Sequence, residues 1–204
     1  MPESRARRIT IFDYGAGNLH SLAKAVAAFG TEPAIEVDPA RAVETDVLLL
    51  PGVGAFTPAA ERLAPGREAM REALARGLPC LGICLGMQLL FDGSDEGPGA
   101  GLGVIPGRVT RIAAERLPQI GWNRADDPTD PLFAASGLRD VYYANSFVCR
   151  PRDTAVVTSW STHEGDRFPA SVRAGRTVGV QFHPEKSSSA GVAFIHAFLK
   201  EMLG

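Results

Sequence analysis

The chain has 204 residues, 45% of them hydrophobic and 22% charged, with a formal net charge of −2. That length and balance suit one globular domain, spanning 1–204, with a full core. They give no electrostatic reason to expect nucleic acid or a membrane surface as partner. No apolar run approaches a membrane span or a signal peptide. Three cysteines at these spacings form neither a closed disulfide set nor a zinc pattern, so a reducing, cytoplasmic setting is expected with no cofactor and no metal.

In chain order, Arg8 to Asp13 reads as a buried strand. A helix over Asn18 to Phe29 follows, with Leu19, Leu22, Val26 and Phe29 on one face and Gly30 as its stop. Ala34 to Val37 and Asp46 to Leu50 are strands, the second almost wholly aliphatic, as expected when helices cover both faces. Helices are predicted over Thr57 to Leu63 and Arg67 to Arg76, then a strand over Leu78 to Ile83 and a helix through Phe91. This alternation predicts an open, mostly parallel α/β sheet flanked by helices, with its ligand outside the C-terminal strand ends. Gly93 to Gly103 reads as a surface loop. Beyond it, Arg108 to Ile112, Asp140 to Val148, Thr154 to Trp160, Ala170 to Arg173 and Thr177 to Phe182 read as antiparallel strands extending the sheet. A helix over Ser189 to Leu203 closes the order.

The most informative motif is Gly82-Ile83-Cys84-Leu85-Gly86, at the end of a strand and the start of a helix. It has the form of a strand-to-helix elbow with cysteine as nucleophile. The glycines let the backbone turn tightly, and a helix N-terminus favours a thiolate. Near the end of the chain a short strand leads into His183-Pro184-Glu185, where the proline stiffens the turn between base and carboxylate. Cys84, His183 and Glu185 together supply a nucleophile, a general base and acid, and an orienting anion. Pro51-Gly52-Val53-Gly54-Ala55-Phe56 follows the neighbouring strand. Its backbone N–H groups at Val53 and Gly54, with that of Leu85, are the candidate oxyanion hole.

Other motifs are weaker. Asp13-Tyr14-Gly15-Ala16-Gly17-Asn18 resembles a dinucleotide fingerprint, but His20 stands where a small residue is needed, so that reading is rejected; the turn could face substrate or partner. His163-Glu164 is a rival base–acid pair in what reads as an exposed hairpin tip. His20 and His196 read as surface or packing residues on helices, and Cys80 and Cys149 as core.

The elbow, the Pro51 to Phe56 turn and His183-Pro184-Glu185-Lys186-Ser187 together resemble the class I, triad-type glutamine amidotransferases. The Asp13 to Asn18 segment, Gly121-Trp122-Asn123 and Tyr143-Ala144-Asn145-Ser146-Phe147 narrow the likeness to the glutaminase subunits of imidazole glycerol phosphate synthase. The resemblance implies a flavodoxin-like amidotransferase fold and glutamine hydrolysis through a Cys84 thioester. It implies that Gly54, Gln88, Ser146 and Phe147 hold the glutamine. It further implies that Asn18, Trp122, Tyr143 and Lys186 lie at or near the face of a separate (β/α)8 cyclase, in a heterodimer serving histidine biosynthesis. Many members have His where this chain has Asn145, and Tyr where it has Phe147. The competing readings are a glutaminase of pyridoxal phosphate synthase or anthranilate synthase, or a flavodoxin-like redox or binding module with a reactive thiol.

Overall fold

The computed structural model describes residues 7–15 and 19–204. In chain order the elements are β1 (Ile9–Phe12), α1 (Leu19–Ala27), β2 (Ala34–Glu36), β3 (Val47–Leu50), α2 (Phe56–Leu63), α3 (Arg67–Ala75), β4 (Cys80–Ile83) and α4 (Leu85–Leu89). There follow β5 (Gly93–Ser94), β6 (Gly107–Arg111), β7 (Gln119–Arg124), α5 (Pro131–Ser136), β8 (Asp140–Asn145) and β9 (Phe147–Pro151). The chain closes with β10 (Val157–His163), β11 (Asp166–Ala174), β12 (Thr177–Val180) and α6 (Ser188–Leu203).

Seven strands form the main sheet in the order β10-β11-β12-β4-β3-β1-β2. The five from β12 to β2 are parallel, and β10 and β11 extend them antiparallel. Alternation within the aliphatic strands feeds two cores. Val47, Leu49, Leu81 and Ile83 pack with α1, α5 and α6 through Leu22, Val26, Phe133 and Phe194. Leu48, Leu50 and Cys80 pack on the other face with Phe56, Leu63, Met70 and Leu85. Each strand residue is thus buried whichever way it points, and each such side chain contributes about 1.5–3 kcal/mol.

The parallel register positions the site. Leu50 pairs with Gly82, and Ile83 with Val180. The segments leaving β3, β4 and β12 therefore emerge side by side at one end of the sheet, where ligands of open α/β sheets are bound. The Cys84 N–H donates to the Val180 carbonyl at 2.7 Å and stitches two of these ends together.

Four sequence expectations need correction. Asp140 to Val148 is not one strand: it breaks at Ser146, so that β8 pairs with β7 while β9 pairs with β6. The Asn145 side chain folds forward to donate to the Phe147 carbonyl at 3.0 Å, and Ser146 gives its own carbonyl to the Ile112 N–H. The added strands consequently make two small sheets; only β10 and β11 extend the main one antiparallel, because Thr177 to Val180, expected as antiparallel, forms β12 parallel to β4. The 93–103 segment is not a plain surface loop, since β5 pairs with β6 and Leu102 is buried. The strand β7 and helix α5 were not predicted. Yet α5 carries readable signals: Asp130 caps it by accepting from Leu132 N–H at 3.0 Å, Pro131 opens it and Gly137 closes it left-handed.

Candidate active site

Cys84 occupies the tip of the elbow with φ +49° and ψ −103°, a combination that strains any L side chain. The strain is imposed by close packing around it. A Cβ on Gly52 would lie 1.9 Å from the Ile83 carbonyl oxygen, and one on Gly86 would lie 2.0 Å from that of Leu50. Both positions exclude every residue but glycine, which lets the β3 and β4 ends and α4 close on one another. Cys84 is 6% exposed, and α4 begins immediately after it, leaving the Leu85 N–H without an intrahelical partner.

His183 is fully buried, and its Nδ1 lies 2.8 Å from Glu185 Oε1. The carboxylate accepts that N–H and so fixes the tautomer, leaving Nε2 for proton transfer. Nε2 is buried with no hydrogen-bond partner in the protein. Burial pushes the imidazole toward neutrality, but the neighbouring Cys84 sulfur and the Glu185 carboxylate outweigh that and raise the His183 pKa to about 10. The imidazole is thereby favoured in its protonated form. Cys80 and Cys149 are 0% exposed, and burial raises both thiols, which keeps them inert.

Beside Cys84 lies a cavity of ≈ 240 Å³ lined by Gly52, Val53, Gly54, Leu85, Gln88, Glu96, Pro118 and residues 144–147. Pockets for drug-sized ligands run from about 300 Å³ upward, so this one suits a molecule the size of an amino acid. Every residue expected to bind substrate or to line the oxyanion hole borders it: Val53, Gly54, Leu85, Gln88, Ser146 and Phe147. Gln88 donates to the Phe147 carbonyl at 3.1 Å. A larger groove of ≈ 700 Å³ between α1, α5 and α6 is lined by Phe29, Leu132, His196 and others, but by no member of the triad.

Sequence reasoning missed several residues here. Glu96 lines the cavity and accepts from the Phe56 N–H at 2.9 Å, pinning the end of the Pro51 to Phe56 turn; nothing in its glycine-rich surroundings signals this. Asn145 lines the cavity with its Oδ1 buried and unpartnered. Gln181, fully buried, donates from Nε2 to Cys84 Sγ at 3.4 Å. Its position was readable, since it stands just past the end of β12 and two residues before His183.

The expected partner residues divide. Trp122 is 59% exposed and Lys186 is exposed. Tyr143 is corrected: it is 0% exposed, its hydroxyl lies 2.6 Å from Ser161 Oγ, and its ring packs edge-on against Phe168 and Phe182. On β8 alternate residues face opposite ways, so Tyr142 is the one that meets Trp122, ring centroids 6.1 Å apart. Asn18 lies outside the described residues. In the Asp13 to Asn18 segment, Tyr14 faces inward, 3% exposed and packed edge-on against Phe12. His163 and Glu164 sit at the β10–β11 tip, tied to Arg116 and far in role from the elbow. His196 packs on Phe29 and lies 2.8 Å from the Ala25 carbonyl.

The strained Cys84 elbow, the buried His183–Glu185 pair and the amino-acid-sized cavity thus meet at one end of the parallel sheet. The chain belongs to the glutamine amidotransferase class-I family, whose model matches residues 10–202. Among curated proteins it is 40% identical to the imidazole glycerol phosphate synthase subunit HisH of Synechococcus sp. (strain JA-3-3Ab), over 96% of this chain and 94% of that one. It is 45% identical to the protein of the same name from Symbiobacterium thermophilum, over 92% and 91%. Solved structures share the fold. A crystallised glutamine amidotransferase superposes with TM-score 0.74 at 19% identity, covering 96% of this chain and 99% of that one. One from Thermotoga maritima gives 0.72 at 16% identity, covering 98% and 99%.

Proposed function

We propose that this chain is the glutaminase subunit of an imidazole glycerol phosphate synthase, acting over 1–204 as one amidotransferase domain. The observation that carries the chemistry is the shared location of Cys84, the His183–Glu185 pair and the glutamine-sized cavity at adjoining strand ends.

The Cys84 thiolate attacks the side-chain carboxamide carbon of glutamine. The negative oxygen of the tetrahedral intermediate is met by the Leu85 N–H and by an N–H of the Val53–Gly54 turn. One such donor is worth roughly 10²–10³ in rate. His183 passes its proton to the departing nitrogen, ammonia leaves and a thioester remains. Water then attacks the thioester, His183 takes the proton, and glutamate is released. Throughout, Glu185 holds the imidazole in register. Within the cavity lining, Glu96 and Asn145 Oδ1 are the acceptors available to the α-ammonium group. Gln88, Ser146 and Phe147 line the wall alongside.

Ammonia released into neutral water is protonated and loses its nucleophilicity, so a consuming subunit must cover the mouth of the site. A cyclase subunit, a (β/α)8 barrel in the resemblance, fills that role in the cytoplasm. Its docking surface on this chain would centre on Trp122, Ile120 (66% exposed) and Tyr142, with Lys186 one residue beyond the catalytic carboxylate. Among the described residues no carboxylate pairs with Lys186, which leaves its charge for an acidic group of the partner.

Labelling with a glutamine-analogue diazoketone tests the assignment. The account expects one equivalent, found by mass spectrometry on Cys84. Labelling of Cys80 or Cys149 in its place, or none at all, would contradict it and favour a redox or binding role for the fold.

A further inference from the structure

Among the described residues, the Gln181 carboxamide is the one fully buried amide side chain with a group within hydrogen-bond distance of the nucleophile. It follows β12 directly, and its N–H donates to the Ala170 carbonyl at 2.9 Å, so the backbone is tied to β11 on one side. Its orientation can be deduced without seeing hydrogens. The Phe147 carbonyl can only accept, so the Gln88 group 3.1 Å from it must be the NH2. That same NH2 lies 3.3 Å from the Gln181 carboxamide and must therefore meet its oxygen. The Gln181 NH2 is left facing Cys84 Sγ at 3.4 Å. A backbone carbonyl at one end thus fixes the direction of every bond in a chain running from Phe147 through Gln88 and Gln181 to the sulfur.

We propose that Gln181 is a further catalytic group of this site, a buried donor that stabilises the Cys84 thiolate and couples it through Gln88 to the glutamine cavity. The inference rests on Cys84 being the nucleophile. A neutral thiol is a weak acceptor, whereas a thiolate is a charged one, so an N–H held against Sγ favours ionisation. Burying a carboxamide without partners is costly, and an aliphatic side chain would pack there with no such penalty. The polar group is retained at a place where its remaining donor has the sulfur to bind. Because Gln88 borders the cavity and gives its NH2 to both Phe147 and Gln181, a ligand that shifts Gln88 also shifts the donor on the nucleophile.

The decisive variant is Gln181→Met, which keeps the length and removes the donor. The rate of Cys84 alkylation by iodoacetamide, followed against pH in the complex with the cyclase subunit, reads the thiol directly. Loss of a hydrogen bond to a charged group should move the alkylation midpoint upward by about one to two units. Glutamine-dependent turnover near neutral pH should fall about 10- to 100-fold, with ammonia-dependent synthesis unchanged. Gln181→Glu places a second negative charge beside the sulfur and should move the midpoint further in the same direction. If either variant fails to fold, the wild-type protein still decides. The Gln181 side-chain amide resonances in ¹⁵N spectra should move when Cys84 is alkylated, and in the same pH range as alkylation itself. An unchanged alkylation profile in Gln181→Met, or amide resonances indifferent to the state of Cys84, would overturn the proposal. Cys84→Ala separates this from the underlying assignment, because it abolishes glutaminase turnover whatever Gln181 does.

Discussion

The backbone N–H of His183 donates to the carbonyl of Tyr142 at 2.8 Å. One residue of the β7–β8 ribbon therefore holds His183 through its main chain while its ring meets the exposed Trp122 edge-on. The link is doubled nearby: the buried Ser187 hydroxyl accepts from the Tyr142 N–H at 2.9 Å and donates to the His183 carbonyl at 2.7 Å. A load on Trp122 from a docked partner would reach the His183 turn through a single strand.

Trp122→Ala should weaken binding of the cyclase subunit by about 2 kcal/mol or more, a factor of roughly 30 in Kd, as for a central aromatic anchor. Because its neighbour holds His183, the variant should also blunt the stimulation of glutaminase turnover by the cyclase, measured at saturating partner. Wild-type affinity by calorimetry would remove Trp122 from the interface.

Gly52→Ala would drive a methyl group into the Ile83 carbonyl, which lies 1.9 Å from the position of the new Cβ. The β3 and β4 ends must part, at a cost of about 1–3 kcal/mol in urea denaturation. The Cys84 alkylation rate should change with it, since Ile83 immediately precedes Cys84. A variant with native stability and native thiol reactivity would show that the elbow tolerates the opening.

His183 gives a pH prediction whose sign follows from its neighbours. Burial lowers its pKa, and Cys84 with Glu185 raises it to about 10, so the wild-type imidazole should stay protonated from neutral pH almost to that value. Replacing Cys84 with alanine removes the sulfur's charge, leaving burial opposed by Glu185 alone. The His183 midpoint, followed by ¹⁵N chemical shift, should then fall. A midpoint unmoved in Cys84→Ala would mean that the pair is not ionically coupled.

Much of this was legible in the sequence because local rules and global packing agree there. The aliphatic run at 47–50 could only be a strand covered on both faces, and Gly82-Ile83-Cys84-Leu85-Gly86 could hold its cysteine outward only as an elbow. The failures have equally physical causes. Asp140 to Val148 reads as one strand although Asn145-Ser146 is a turn signal in its middle; Asn145 turns its side chain onto the next residue but one there. Tyr142 and Tyr143 are adjacent and chemically identical; only the phase of β8, set by pairing with β7, decides which ring enters the core. Glu96 reaches the site from a loop forty residues beyond the helix start it holds, a contact that spacing cannot encode.

The central claim is that Cys84 alone generates ammonia for a reaction carried out elsewhere. Synthesis by the complex of Cys84→Ala with the cyclase subunit, measured with glutamine and separately with an ammonium salt, tests it most directly. Glutamine-dependent synthesis should be absent and ammonia-dependent synthesis undiminished. Glutamine-dependent turnover surviving in Cys84→Ala, or loss of both activities in a complex that still assembles, would contradict it.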